Sequence, residues 1–391
     1  ANFSGGDIVS RYLPWKYFLS ESIKNSALPF WNPFTASGYP FLGDIQKGAF
    51  YPAGIFFFLF SFDTALKVFF SAHLLLLGLS SFLLLKTLGF SRPAALGGVI
   101  IILFNSFTVS LMGAPGGFAV FSLLPSAVIC LSLFFRNKRA VYGGLFLIVL
   151  SLMLAAGHPA AFIYCLLFLL LFSLFNLDYT SFRQLLLNKT PRFFAALSVS
   201  AIAVFLLTMP QSGSFINVLA NSAAFGSVPL KETLHSSLDF FSVFSLLIPP
   251  GTAVGGMENT GYFAGRLNYF SAAFIFMLLL CFFARKDKTL IFAACAAAAA
   301  LILGLGNKTP LFSSLPIPSL IEHAGFSLII FIPASAIFAS TAIDYIRSLD
   351  KIGSFAVLAP ARFGPSRQKS HHNLLRAVSY THLTLPTKRI V

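Results

Sequence analysis

The sequence predicts an all-α protein whose hydrophobic spans cross a membrane many times. Hydrophobic residues make up 57% of the 391 positions and charged residues only 10%, where a soluble domain carries roughly a quarter charged. The mean hydropathy is +0.83. Long apolar runs recur along most of the chain, and Lys and Arg gather in the short connections between them.

Residues 1–52 are the exception, a polar stretch read as an external loop. Within it Tyr12, Trp15, Phe18, Leu19 and Ile23 recur at helical spacing, with Lys16, Ser20, Glu21 and Lys24 opposite and Pro14 in the first turn. That pattern fits a helix lying in the membrane interface with its aromatics at headgroup level; a solvated helix packed on other protein is the competing reading. Gly5-Gly6, Trp31-Asn32-Pro33 and Gly38-Tyr39-Pro40 read as fixed turns. Ala53–Phe62 is apolar but too short to span, which takes about 20 residues; it is re-entrant or packs under the loop.

The bundle is expected over residues 53–350, with nine spans: Ala65–Leu85, Ala94–Met112, Gly117–Phe135, Val141–Ala156, Ala160–Phe175, Phe193–Met209, Leu267–Phe283, Leu290–Leu305 and Phe326–Ile346. Alternate connections carry Lys86 and Arg92, then Arg136, Lys138 and Arg139, then Arg183, Lys189 and Arg192, then Arg285, Lys286 and Lys288, then Arg347 and Lys351. Gly113–Gly116 and Gly157–Pro159, in the opposite set, carry no Lys or Arg. The positive-inside rule makes the first set cytoplasmic. The opening loop and the connections 210–266 and 306–325 are then external, with seven of the twelve acidic residues.

The formal charge of +15 includes six basic residues from Arg362 onward, unaccompanied by acids. The remainder sits mostly in connections, so the charge reports topology and not a nucleic-acid partner. Cys130, Cys165, Cys281 and Cys295 all fall in apolar runs without C-x-x-C spacing, which argues for buried thiols over disulfides or zinc. Neither a phosphate-binding P-loop, a dinucleotide fingerprint nor a nucleophile elbow occurs.

Three groups of residues are candidates for chemistry. Asp7 and Asp44 share the external loop with Arg11, Lys16 and Lys47. A lipid-phosphate leaving group needs cations or a metal, and an attacking hydroxyl needs a carboxylate base within reach; ordinary solvated carboxylates are the competing reading. His158, in a tight external turn, suits a switchable donor, a phosphate contact or a metal ligand, or an imidazole satisfied by backbone. Arg266 abuts the outer end of a span, against the charge bias, where it meets a phosphate or carboxylate or simply snorkels. His73, mid-span, is expected to face the bundle interior and make an interhelical hydrogen bond.

The segments GDIVSRYLPWKYFLSESI (Gly6–Ile23) and LPFWNPFTASGYPFLGDIQKGAFYP (Leu28–Pro52), with looser matches at Ala156–Tyr164, Asn259–Gly265 and Leu305–Ser335, resemble the YfhO-like family of bacterial membrane proteins, which look like GT-C-type glycosyltransferases. The resemblance covers roughly Gly5 to Ile346. It implies a GT-C-like bundle in a bacterial cytoplasmic membrane and transfer of a sugar from a polyprenyl-phosphate donor to a cell-envelope acceptor. Asp7 takes the place of the catalytic acid, Asp44 is a second carboxylate at the same site, and His158 is a donor-side contact. Arg11, Lys16, Lys47 and Arg266 are the phosphate candidates, with either no cofactor or a divalent metal at the two aspartates. Ala160 and Ala161 stand where the family usually has a polar residue, and Ser327-Leu328-Ile329-Ile330 where it often has an Arg. The alternatives are a non-enzymatic transporter or flippase of lipid-linked substrates, or an envelope-assembly scaffold.

The resemblance further implies a membrane helix before Ala1 and more spans after the last. Residues 351–377 are a tail without assigned structure, and in 378–391 the run Val378–Thr387 resembles a translated sequencing adapter. The chain is accordingly expected to be a fragment.

Overall fold

The computed structural model describes residues 8–34, 37–176, 198–199, 202, 209, 272–284, 287–305 and 324–358. The expected span Phe193–Met209 and the connections 210–266 and 306–325 lie wholly or mostly outside them. The described residues are mainly helical: α1 (Leu13–Lys24), α2 (Phe56–Leu59), α3 (Phe62–Thr87), α4 (Arg92–Phe104), α5 (Ser106–Leu111), α6 (Pro115–Asn137), α7 (Ala140–Ala155), α8 (Pro159–Asn176), α9 (Ala272–Cys281), α10 (Lys288–Leu305) and α11 (Leu328–Leu358). The single sheet described is a two-stranded antiparallel pairing of β1 (Trp31–Asn32) with β2 (Tyr39–Pro40). Most of this belongs to one compact unit, Ala1–Tyr345; the far end of α11 belongs to a second, Ile346–Val391.

Among the described residues five helices are long and apolar enough to cross a membrane: α3, α6, α8, α10 and the stretch Gly325–Leu349. The core lies around α6 and the first half of α11. Residues 115–125 are buried without interruption, as are residues 325–340. In α3 the buried stripe Ala65, Phe69, His73, Leu77 and Ser81 recurs every four residues, while Leu75, Leu79 and Leu83 are exposed on another face. A helix apolar on its exposed side as well suits a lipid surrounding.

The expected second span, Ala94–Met112, is interrupted. Asn105 ends α4 and caps α5: its Oδ1 accepts from the Thr108 N–H at 2.8 Å, and its Nδ2 donates to the carbonyls of Ile101 and Ile102, each at 2.8 Å. Thr108 Oγ1 donates to the Ile102 carbonyl at 2.7 Å. Breaking a helix orphans carbonyls on one side and N–H groups on the other, and these two side chains supply partners for both. At the start of α4, Asp344 accepts from the Ser91 N–H at 3.0 Å and Ser340 donates to the Ala94 carbonyl at 2.9 Å. Gly98 permits that approach, since a Cβ there would lie 2.5 Å from Ser340 Oγ and 3.0 Å from the Ala336 carbonyl oxygen.

One expectation needs correction. The thiols are not uniformly buried: Cys165 and Cys281 are, Cys130 is half-buried and Cys295 is exposed on the Ala-rich α10. Ala53–Phe62, expected to be re-entrant or packed under the loop, packs under it: a short 3-10 turn (Pro52–Ile55) and α2 form there, and the Ser20 hydroxyl donates to the Phe57 carbonyl at 2.7 Å.

Candidate functional site

The opening loop is a folded cap. Its helix α1 turns Tyr12, Lys16, Leu19 and Ser20 inward, positions spaced as one helical face. The sequence pattern placed Lys16 and Ser20 on the polar side. The structure reverses this, leaving Tyr17 and Ile23 exposed. Lys16 and Ser20 are buried because backbone carbonyls meet them, those of Lys47 and Gly48 in the opening loop and that of Phe57 in α2.

Lys16 is the clearest case. Its side chain is 3% exposed, and its ammonium donates to the carbonyl oxygens of Lys47 at 2.9 Å and Gly48 at 3.0 Å. Burial lowers its pKa to about 8, because the charged form has lost most of its water. The two carbonyls compensate only in part. Lys47 answers from the other side: its ammonium lies 3.0 Å from the Trp15 ring centroid and 3.0 Å from Asp44 Oδ2, with the Tyr39 ring at 5.0 Å. Burial lowers Lys47 to about 8 as well, against the opposing pull of the Asp44 charge. α1 and the 44–48 turn thus hold each other through a reciprocal pair of lysines, with a cation–π contact on one side.

Asp44 begins that turn. Its Oδ1 accepts from the Gln46 N–H at 2.9 Å, capping the short 3-10 helix Ile45–Lys47, while Oδ2 faces Lys47. Gly48 closes the turn at φ 54, a left-handed conformation that suits glycine. Tyr39, near this carboxylate and partly buried, is pushed up to about 12, mainly by loss of water.

The turn rests on the α7–α8 connection. Gly157, at φ +85, sits so close that a Cβ on it would overlap the Ile45 carbonyl oxygen and lie 2.9 Å from the Gly48 nitrogen. Gly116, at the start of α6, packs against the same connection, where a Cβ would lie 2.8 Å from the Ala156 carbonyl oxygen. The next residue, His158, accepts through Nδ1 from the Ala161 N–H at 3.2 Å and so caps α8. Its ring lies 4.7 Å from that of Phe326. With Nδ1 accepting, a neutral imidazole carries its proton on Nε2.

Below the cap, His73 is buried within α3 as expected, but its partner is not another helix. Its Nδ1 donates to the Phe69 carbonyl at 2.7 Å, which leaves Nε2 to accept from the Tyr51 hydroxyl, also at 2.7 Å. Tyr51 belongs to the opening loop, and burial raises its pKa.

Of the residues singled out in the sequence, Asp44, Lys47, Lys16 and His158 come to one end of the bundle, on segments in backbone contact. Arg11 lies exposed in a π turn (Ile8–Tyr12) leading into α1. Asp7 and Arg266 lie outside the described residues. Lys16, expected at a phosphate, is occupied with backbone carbonyls. Among the described residues no group of three or more His, Cys, Asp or Glu side chains is placed to hold a metal ion. Trp15, Gly48 and Gly157 carry much of the geometry without having been singled out as candidates. Asn105 and Thr108 were also missed; of the two, Asn105 did leave a signal, since an Asn inside an apolar run is a helix N-cap candidate.

Comparison of the chain with protein-family models, with curated proteins and with solved structures finds no match.

Proposed function

We propose that this protein is a GT-C-type membrane glycosyltransferase that moves a sugar, with inversion, from a polyprenyl-phosphate donor to an extracytoplasmic cell-envelope acceptor. The observation that carries the reading is the seating of the Asp44 turn against the connection bearing His158. It sets the segment bearing Asp44 against the segment bearing His158 at the end of an apolar bundle, and this is the end at which we place the phosphate headgroup of the lipid donor. The nine spans, the external placement of the cap and the resemblance of Gly6–Ile23 and Leu28–Pro52 to the YfhO-like family belong to the same reading.

In this mechanism a carboxylate takes the proton of the acceptor hydroxyl as its oxygen bonds to the sugar C1. The bond from C1 to the phosphate oxygen breaks, and polyprenyl phosphate leaves with the electron pair. Asp7 is the base or a metal ligand, and Asp44 is its partner, held in place by Lys47 and the Gln46 N–H. Arg11, His158 and Arg266 face the phosphate. Lys16 and Lys47 hold the frame.

One observation favours a second reading. The interruption of α4 and α5 at Asn105 puts a discontinuous helix inside an apolar stretch, a feature of transporters. Full-length protein in proteoliposomes, given polyprenyl phosphates bearing different sugars and an envelope acceptor, separates the two. The transferase releases polyprenyl phosphate; a flippase moves the intact donor between leaflets with the C1–O bond unbroken.

A further inference from the structure

The cap exposes apolar side chains that a water-facing loop would not keep. Phe34 is 84% exposed, Phe30 66%, Leu28 65% and Trp31 56%. All four sit on or beside the β1–β2 hairpin, which is built to hold them in place. Asn32 is buried and its Oδ1 accepts from the Phe34 N–H at 2.9 Å, which sets the backbone leaving β1. Trp31 pairs with Pro40 across the strands and lays its indole over Gly38, whose φ of +98 and missing Cβ leave room for it. The Phe41 amide donates to the Phe30 carbonyl at 2.9 Å.

The patch is continuous with the lipid-facing surface of the bundle. At the mouth of α3 the Phe62 ring meets Tyr17 of α1 edge-on at 6.1 Å. The neighbouring Phe18 meets Phe34 of the hairpin at 6.0 Å. Tyr17 is itself 56% exposed, and Ile55, Leu59 and Phe60 are exposed just before α3 begins. Lys24, at the end of α1, is paired with Glu21 at 3.2 Å, so no strong net charge faces outward there.

We infer that residues 28–34, with the paired strand Tyr39–Pro40, and not the face of α1 that the sequence suggested, are the part of the cap that rests in the bilayer interface. Aromatic side chains with Trp and Tyr among them favour the boundary between headgroups and acyl chains, and amphipathic elements there bury their apolar face roughly 5–10 Å deep. The occupant of the patch is the bilayer itself. The contact holds the cap at a fixed height over the bundle end, and it stands whether the protein is a transferase or a transporter.

The chain has two tryptophans, and only Trp31 lies on the patch; Trp15 is packed under Lys47. Full-chain protein in nanodiscs is compared with its W31F variant, in lipids brominated near the top of the acyl chains and, separately, against aqueous iodide. The emission that W31F removes is expected to be quenched strongly by the bromolipid and weakly by iodide. The reverse pattern places the hairpin in water and overturns the proposal. Resistance to both quenchers overturns it too, because protein then covers the patch. A W15F variant, which leaves Trp31 as the sole fluorophore, must give the same result.

Discussion

Lys16 donates its ammonium proton to the carbonyl oxygen of Lys47, 2.9 Å away, while Lys47 places its own ammonium against Trp15, the residue before Lys16. Each lysine fastens the segment that carries the other. The polar character of the opening loop is therefore spent largely inside it, and Asp44 is displayed from a rigid support.

Replacing Lys16 by Met removes the ammonium donor from the carbonyls of Lys47 and Gly48, of which Gly48 keeps the Tyr51 N–H at 3.3 Å. The cap is expected to lose about 1–3 kcal/mol. Limited proteolysis should then cut residues 13–60 readily while the helices of the bundle stay resistant.

Both lysines are lowered from 10.5 to about 8. Between those values the unfolded chain holds more protons than the folded one, so stability rises with pH across the window. The cost of burying the charges is complete below about 8 and relieved toward 10.5. The tyrosines act oppositely. Tyr12 and Tyr51 are raised by burial above 10.0, so above that value the unfolded chain sheds protons the folded one keeps. The thermal midpoint is expected to climb from pH 7.5 to 9.5 and then level, with a shallower climb in K16M.

Gly157→Ala forces a side chain into a left-handed backbone, costing roughly 1–2 kcal/mol, and pushes it against the Ile45 carbonyl. The cap should lift from the α7–α8 connection. A cysteine at Ile45, buried in the parent, reacted with a water-soluble maleimide in a background with Cys295→Ser, should label faster in this variant than in its parent.

Asn105→Ala and Thr108→Val remove partners from one network at the α4–α5 break. Each is expected to cost about 1–3 kcal/mol. Because they share acceptors, the double variant should cost clearly less than the two combined. Thermal unfolding in detergent supplies all three values.

The apolar runs made the helices legible: α3, α6, α8 and α10 begin and end within a few residues of the expected spans. What periodicity does not encode is where polar side chains find partners. Lys16 and Ser20 occupy the polar positions of α1, yet both are buried because backbone carbonyls from residues 47, 48 and 57 meet them. The break at Asn105 was masked by the hydropathy of its neighbours. Asp44 was visible as a carboxylate in a loop. Its setting depends on contacts between residues more than a hundred positions apart, Ile45 and Gly48 with Gly157, and nothing local in the chain announces them.

Asp44→Asn offers the most direct measurement. An Asn side chain still accepts from the Gln46 N–H and keeps the turn, so the substitution removes the charge and its ion pair with Lys47 while the cap of the 3-10 helix stays. In proteoliposomes with a polyprenyl-phosphate sugar donor, D44N and D7N are each expected to lower kcat by about 100-fold or more, with the cap still resistant to protease. Sugar transfer at the parental rate in both variants would contradict the assignment of these carboxylates and the transferase mechanism built on them.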